Sequence, residues 1–182
     1  MGSLAKNAVQ ETEVQQEEAQ YLTFLLGKEM FAIDILGIKE IIEYGNLTSV
    51  PMMPEFIRGV INLRGAVVPV VDLSARFGRA ASVVTRRSCI VIIEAESEGE
   101  KQDIGVMVDA VSEVLEIPAA EIEPAPSFGV KIRADFINGM GKVKDKFVII
   151  LDAVKVLSVN ELAMLSEVGA STDITATNAN PD

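Results

Sequence analysis

Four aspartates are the side chains of this sequence that most invite a chemical role: Asp34, Asp72, Asp109 and Asp152. Carboxylates that lie close together can bind a metal ion or exchange protons with a substrate. Asp72 and Asp152, however, each follow a strand-like run, at matching points of an internal repeat, where Asp commonly caps a helix. We therefore interpret these two as helix caps rather than as members of a carboxylate cluster.

The sequence contains no histidine. This excludes Ser-His-Asp and Cys-His activation of a nucleophile, a His-ligated metal site and the usual pH switch. Neither a GxGxxG nor a GxxxxGK[ST] phosphate loop occurs. An enzyme that relies on Asp and Lys remains an alternative, and a pocket with two carboxylates at close range would favour it.

A positive charge interrupts the apolar stretch GVINLRGAVVPVVDL at 59–73. The runs on either side predict a β-hairpin with Arg64 and Gly65 at its tip, because glycine supplies the positive φ of a tight turn. Apolar sequence neighbours leave few polar groups to bind the guanidinium locally. A solvated turn arginine is the simple alternative, but an exposed arginine with five donors is a good interface anchor. We expect Arg64 to contact a partner.

Most of the remaining chain is predicted to be short strands rich in Val and Ile. These are YLTFLLG, MFAIDIL, GVINL, AVVPVVDL, SCIVIIEA, DIGVMVDAV, EVLEI, FINGMGKV and KFVIILD. Pro69 predicts an edge strand or a bulge, because proline has no N–H to donate. Short helical turns are predicted after Asp72 and Asp152, and a capping box at Ser158 and Glu161 predicts a C-terminal helix over 159–168.

Composition limits the class of protein. The chain has 182 residues, a net charge of −11 and 49% hydrophobic residues, enough for one domain or two small lobes. Its acidity and lack of a basic cluster argue against nucleic-acid binding, and no run of about 20 apolar residues predicts a membrane span or direct insertion. The polar segments 1–19 and 169–182 are predicted to be disordered tails. With Cys89 as the single cysteine, a cytosolic protein is the simplest interpretation.

Two segments of the chain repeat each other. Residues 56–73 match residues 136–153 at a displacement of 80, and residues 32–42 match 105–115 at a displacement of 73. The chain is therefore predicted to contain two related barrel units, about 21–76 and 88–157. Units this small are expected to pack on each other and form an Ile/Val-lined groove at their junction. The sister hairpin carries Lys144-Asp145 at its tip, so the hairpin itself does not require Arg-Gly.

The segment IDILGIKEIIE at 33–43 is ambiguous between a strand and a helical turn. Its four isoleucines are too many for one solvent-facing element, so most are expected in the core. Ile35 and Ile38 flank Gly37, where the chain can turn. These two are the candidates for a partly exposed groove.

The motif PEFIRGVINLRGAVVPVVDL, together with FAIDILGIKEI, GVMVDAVSEVLEI and the EPAPSFG connector, closely resembles the CheW-type chemotaxis coupling proteins. The resemblance covers about residues 20–168. It implies a mainly β fold of two intertwined five-stranded SH3-like barrels with a C-terminal helix. The acidic loop EAESEGEKQD at 94–103 is longer than the family pattern leads us to expect.

The resemblance also implies a role. Proteins of this family couple transmembrane chemoreceptors to the histidine kinase CheA in the cytoplasm, without catalysis or cofactor. Their barrel ends bind the regulatory domain of CheA, and the groove between the barrels takes the cytoplasmic tip of the receptor. The candidate contact positions in this sequence are Ile38, Glu40, Asn62, Arg64, Gly65, Val111 and Val114, with Ile35 beside them. A regulatory module of a related coupling protein is the nearest alternative.

Overall fold

The computed structural model describes residues 18–97, 99–125, 132 and 134–157. These residues form the strands β1 (Glu18–Leu26), β2 (Glu29–Asp34), β3 (Ile38–Glu43), β4 (Ile57–Leu63), β5 (Ala66–Asp72), β6 (Cys89–Ser97), β7 (Glu100–Val108), β8 (Ala110–Pro118), β9 (Ile122–Glu123), β10 (Ile137–Val143) and β11 (Lys146–Leu151). The same described residues also form two short helices, α1 (Leu73–Arg76) and α2 (Ala153–Leu157), and 3-10 turns at Ile35–Gly37, Ala119–Glu121 and Ala134–Phe136. Each predicted strand run overlaps one of these strands, with ends that differ by up to three residues.

Some predictions fall outside the described residues. The predicted C-terminal helix over 159–168 and the tail 169–182 lie there, as does most of the N-terminal tail. Strand β1 begins inside the predicted tail, because Glu18 and Ala19 pair with Pro118 and Ile117 of β8. Among the described residues, none of the helices has the length and apolarity needed to cross a membrane.

The strands form two sheets, and each sheet takes strands from both sequence units. The first sheet has the order β8-β1-β2-β11-β10-β9, and the second has the order β3-β6-β7-β5-β4. The two orders are related by the repeat. When each strand of the second sheet is replaced by its repeat counterpart, its order becomes β8-β1-β2-β11-β10, which is the order of the first five strands of the first sheet. The sixth strand, β9, has a counterpart too, since Thr48 bridges Val60 where Glu123 pairs with Met140. The mainly β fold of two intertwined barrels is confirmed.

Each sheet curls around a core of its own, and the two share a third core between them. Ile92 belongs to the core inside the second sheet and Ile150 to the core inside the first. The larger shared core combines side chains from both sheets, among them Phe24 and Ile104. Because burying apolar area is the dominant stabilising term, this shared core holds the two barrels as one unit.

The edge-strand alternative for Pro69 is wrong, because β5 lies between β4 and β7. The β4–β5 ladder does contain a register shift, on β4 between Ile57 and Gly59. The parallel pairing of β5 with β7 begins at Val70, the residue after the proline. At the equivalent position of the other unit, Ile149 pairs with Phe31. The ladder in the second sheet therefore starts after the residue that has no N–H to donate.

Arg76 links the two units where α1 meets α2. Its guanidinium carbon lies 4.9 Å from the ring centroids of both Phe56 and Phe136, which are repeat-related. Its Nε donates to the carbonyl oxygen of Val156 at 2.9 Å. A cation between two aromatic faces is favourable, so this one side chain stabilises the contact between the halves of the repeat.

Candidate protein-binding site

The β4–β5 hairpin has Arg64 and Gly65 at its tip, as predicted. Their φ angles of 53° and 88° are both positive, as in the type I′ turn that two-residue hairpins favour. The Asn62 side-chain oxygen accepts a hydrogen bond from the Gly65 N–H at 2.9 Å and so stabilises the turn. The sister hairpin builds the same turn with Lys144 and Asp145, at φ of 49° and 63°.

Arg64 is paired with Glu40 of β3. The two guanidinium nitrogens Nη1 and Nη2 lie 3.0 and 3.1 Å from the carboxylate oxygens Oε1 and Oε2. The Arg64 side chain is 77% exposed and that of Glu40 is 26% exposed. The sequence neighbours of Arg64 are apolar, but the fold brings a carboxylate from 24 positions earlier in the chain. Local sequence alone therefore did not reveal the ion-pair partner of Arg64.

Curling of the second sheet makes this pair possible. In hydrogen-bond order β3 and β4 are the two edges of that sheet. Ile42 of β3 and Leu63 of β4 nevertheless pack against the same core, so the edges approach each other as the sheet closes. Closure places the β4–β5 tip beside Glu40.

The apolar candidates next to β3 of the second sheet are less exposed than their neighbours in the sequence. Ile35 and Ile38 are half-buried and pack against the shared core. Leu36, between them, is 90% exposed, and Ile41 is 43% exposed. Asp34 fixes the turn, since its Oδ1 accepts from the Leu36 N–H at 2.9 Å. Sequence reasoning missed Leu36; the signal was an aspartate that caps a turn ending at Gly37.

On the first sheet the candidates lie on strand β8. Val111 is half-buried against the shared core, whereas Val114 is 52% exposed. By the repeat displacement of 73, these two valines correspond to Ile38 and Ile41 of β3. The structure thus presents the same two positions on an edge strand of each sheet, with Arg64 and Glu40 beside only one of them.

Comparison with known proteins identifies the family of this chain. A family model for the CheW-like domain matches residues 20–161. The chain belongs to the CheW-like family. A chemotaxis protein CheW of Klebsiella aerogenes is 35% identical over 152 residues, which cover 84% of this chain and 89% of that protein. A chemotaxis protein CheW of Bacillus subtilis is 34% identical over 146 residues, which cover 80% of this chain and 90% of that protein.

The crystal structure of a CheW scaffolding protein from Thermoanaerobacter tengcongensis is similar to the CheW-like fold described here. Its TM-score is 0.66 at 38% sequence identity, over 74% of this chain and 84% of that one. All eight candidate residues lie within the CheW-like match.

Proposed function

We propose that this chain is a non-enzymatic adaptor that couples transmembrane chemoreceptors to the histidine kinase CheA. Its place is in the cytoplasm, recruited to receptor arrays at the membrane. Membership of the CheW-like family supports this role, and so do relatives named as chemotaxis proteins and a solved relative described as a scaffolding protein.

The observation that carries the proposal is the exposed Arg64, held in place by Glu40. A bidentate Arg–carboxylate pair fixes the plane of the guanidinium. The donors that remain free on an exposed arginine can then meet acceptors of a partner with little further loss of side-chain entropy. Arg64 thus fixes the orientation of the partner at the tip of the β4–β5 hairpin.

Apolar side chains supply the burial that such a contact needs. Beside Arg64, Leu36 and Ile41 are exposed and are held by a short turn and by β3. Val114 of β8 is the exposed counterpart of Ile41 on the first sheet. A helical receptor tip buries apolar side chains at helical spacing in a groove. Each contact is weak alone, and avidity within the array supplies the strength. Movement of the receptor then shifts the kinase between its states.

Reconstitution with receptor-containing membranes and CheA tests the proposal. The wild-type chain should sediment with the membranes and change the kinase activity. Arg64→Ala should weaken both effects. Lys142→Ala, an exposed position of the sister hairpin equivalent to Asn62, should weaken neither. A wild-type chain that neither joins the complex nor changes kinase activity would show that the adaptor role is wrong.

A further inference from the structure

The first sheet carries an open cleft of about 800 Å³ beside the starts of β2 and β11. These two parallel strands pair at Ile149–Phe31 and Ile150–Ala32, and the residues that precede these pairs line the cleft. We call this the β2–β11 cleft. Its size lies within the range of pockets that bind small molecules, and none of the eight candidate contact residues lines it.

Much of the lining is apolar. Val148 is buried, and Leu25, Met30 and Leu115 are half-buried. The ring of Phe147 also lines the cleft and is 54% exposed. Phenylalanine stacks against other rings, and methionine adapts its shape to a ring and makes favourable sulfur contacts with it. The apolar lining therefore suits a flat aromatic body.

The charged groups of the cleft leave an excess of positive charge. They are Lys28, Glu29, Arg79, Glu113, Lys144 and Lys146. Arg79 and Glu29 neutralise each other, with Nη2 at 2.7 Å from Oε1. Within the described part of the chain, no carboxylate oxygen lies within 4.0 Å of any of the three lysine ammonium groups. Three lysines thus face the single carboxylate of Glu113, in a chain whose net charge is −11.

The repeat shows that Lys28 lacks a partner that its equivalent has. By the displacement of 73, the equivalent of Lys28 is Lys101, whose Nζ lies 3.5 Å from the carboxylate of Glu94. In the first sheet the cross-strand register places Leu25 where the second sheet has Glu94. The same lysine position is therefore neutralised in one unit and left above an apolar surface in the other.

A second lysine occupies the counterpart cleft of the second sheet, which measures about 370 Å³. Lys39 Nζ lies 3.1 Å from both carboxylate oxygens of Asp103 and 3.6 Å from Glu94. The position equivalent to Lys39 in the other unit is Ser112, whose side chain is too short to reach across. Of the two related clefts, one is closed by paired charges, and the β2–β11 cleft stays open with its lysines unpaired.

We propose that the β2–β11 cleft binds a small aromatic anion, a flat ring system that carries a phosphate or a carboxylate group. The ring lies against Phe147 and Met30, and the anionic group meets the ammonium groups of Lys28 and Lys146. Lysine binds either kind of anion as a point charge. Burial of the ring adds the affinity that an exposed charge pair alone lacks.

Titration of the full chain with anilinonaphthalene sulfonate tests the site, because this aromatic anion fluoresces more strongly in apolar surroundings. The wild type should bind one equivalent saturably. Lys28→Gln with Lys146→Gln should weaken binding about tenfold or more, and so should Phe147→Leu, which removes the flat face but stays apolar. Raising the salt from about 0.1 M to about 1 M shortens the screening length from roughly 10 Å to 3 Å and should also weaken binding.

A matched control removes the same amount of charge elsewhere. Lys101→Gln with Lys142→Gln changes two exposed lysines outside the β2–β11 cleft and should bind like the wild type. Equal affinity in the wild type and both cleft variants would overturn the proposal, and so would an equal loss in the control.

Competition for the bound probe identifies the anionic group. Guanosine monophosphate supplies a ring with a phosphate, and indoleacetate supplies a ring with a carboxylate. Displacement by only one of them assigns the group that the cleft prefers. Guanosine, indole ethanol and inorganic phosphate lack either the charge or the ring, and each should compete at least about tenfold more weakly. A probe that neither anion displaces, or that the uncharged compounds displace equally well, would show that the proposal is wrong. None of these results depends on the kinase or the receptor.

Discussion

Arg64 and Glu40 form a bidentate ion pair between the tip of one hairpin and the edge strand of the same barrel, with N–O distances of 3.0 and 3.1 Å. The pair is exposed on the arginine side and half-buried on the glutamate side. An exposed ion pair contributes little to stability, typically about 0–1 kcal/mol. Its geometry matters more than its energy, because it orients a side chain that the proposed function uses.

Arg64→Ala should therefore lower the free energy of unfolding by less than about 1 kcal/mol while weakening receptor and kinase coupling. Thermal denaturation and kinase activity of the reconstituted complex measure the two effects separately. The reversed pair, Glu40→Arg with Arg64→Glu, can restore the ion pair but moves the guanidinium to β3. Coupling should stay weak in that variant. A large fall in melting temperature for Arg64→Ala would mean that the residue is structural.

Gly59 marks a close approach between the irregular segment before β4 and β4 itself. A Cβ at this position would lie 2.5 Å from the Thr48 carbonyl oxygen, and the φ of 153° is unfavourable for other residues. Backbone atoms cannot move aside as a flexible side chain can. Gly59→Ala should therefore lower the free energy of unfolding, measured with urea, by about 2 kcal/mol or more. Gly45→Ala, where the added Cβ meets nothing within 4 Å, should change stability by no more than about 0.5 kcal/mol. Equal effects at both positions would contradict the close approach.

Asp72 and Asp152 are repeat-related caps with unequal surroundings. The fully buried Asp72 carboxylate accepts from the N–H groups of Ser74 and Ala75 and from both the N–H and the hydroxyl of Ser82. Asp152 accepts from the Lys155 N–H. Asp72→Ala leaves buried donors without an acceptor and should cost about 3 kcal/mol or more. Asp152→Ala should lower the free energy of unfolding by about 1 kcal/mol. Chemical denaturation of both variants measures the two losses, and equal losses would contradict the difference in their surroundings.

Tyr21 provides a pH-dependent test of the first barrel. Burial, and secondarily the negative charge of Asp34, raises the pKa of its phenol above the usual 10.0. The neutral form is thus favoured in the folded chain, and its contribution to stability is present below pH 10.0 and lost as the pH rises through the folded value. The chain has two tyrosines, so Tyr44→Phe leaves Tyr21 as the only phenol to titrate by absorbance. Its midpoint should fall to about 10 in denaturant; an unchanged midpoint would mean that Tyr21 is not buried.

Several features of the fold were predictable because they depend on residues close together in the chain. Alternating and continuous apolar runs identify the strands, and the aspartates that end β5 and follow β11 cap α1 and α2. The positive φ at Gly65 follows from a two-residue hairpin. The repeat also indicated two related units, because the spacing of residues in the sequence does not depend on which strands pair with each other.

The sequence by itself determined the strands, the turns, the caps and the two-fold repeat, because local backbone preferences and side-chain periodicity decide them. Only the tertiary structure decided which strands pair and which side chains contact each other. Intertwining gives β5 a neighbour on both sides of Pro69, and closure of the second barrel brings Glu40 to Arg64. Leu36 is exposed because a capped turn directs it away from the shared core. Such contacts join residues distant in the chain, and they arise when apolar faces are buried together rather than from any short stretch of sequence.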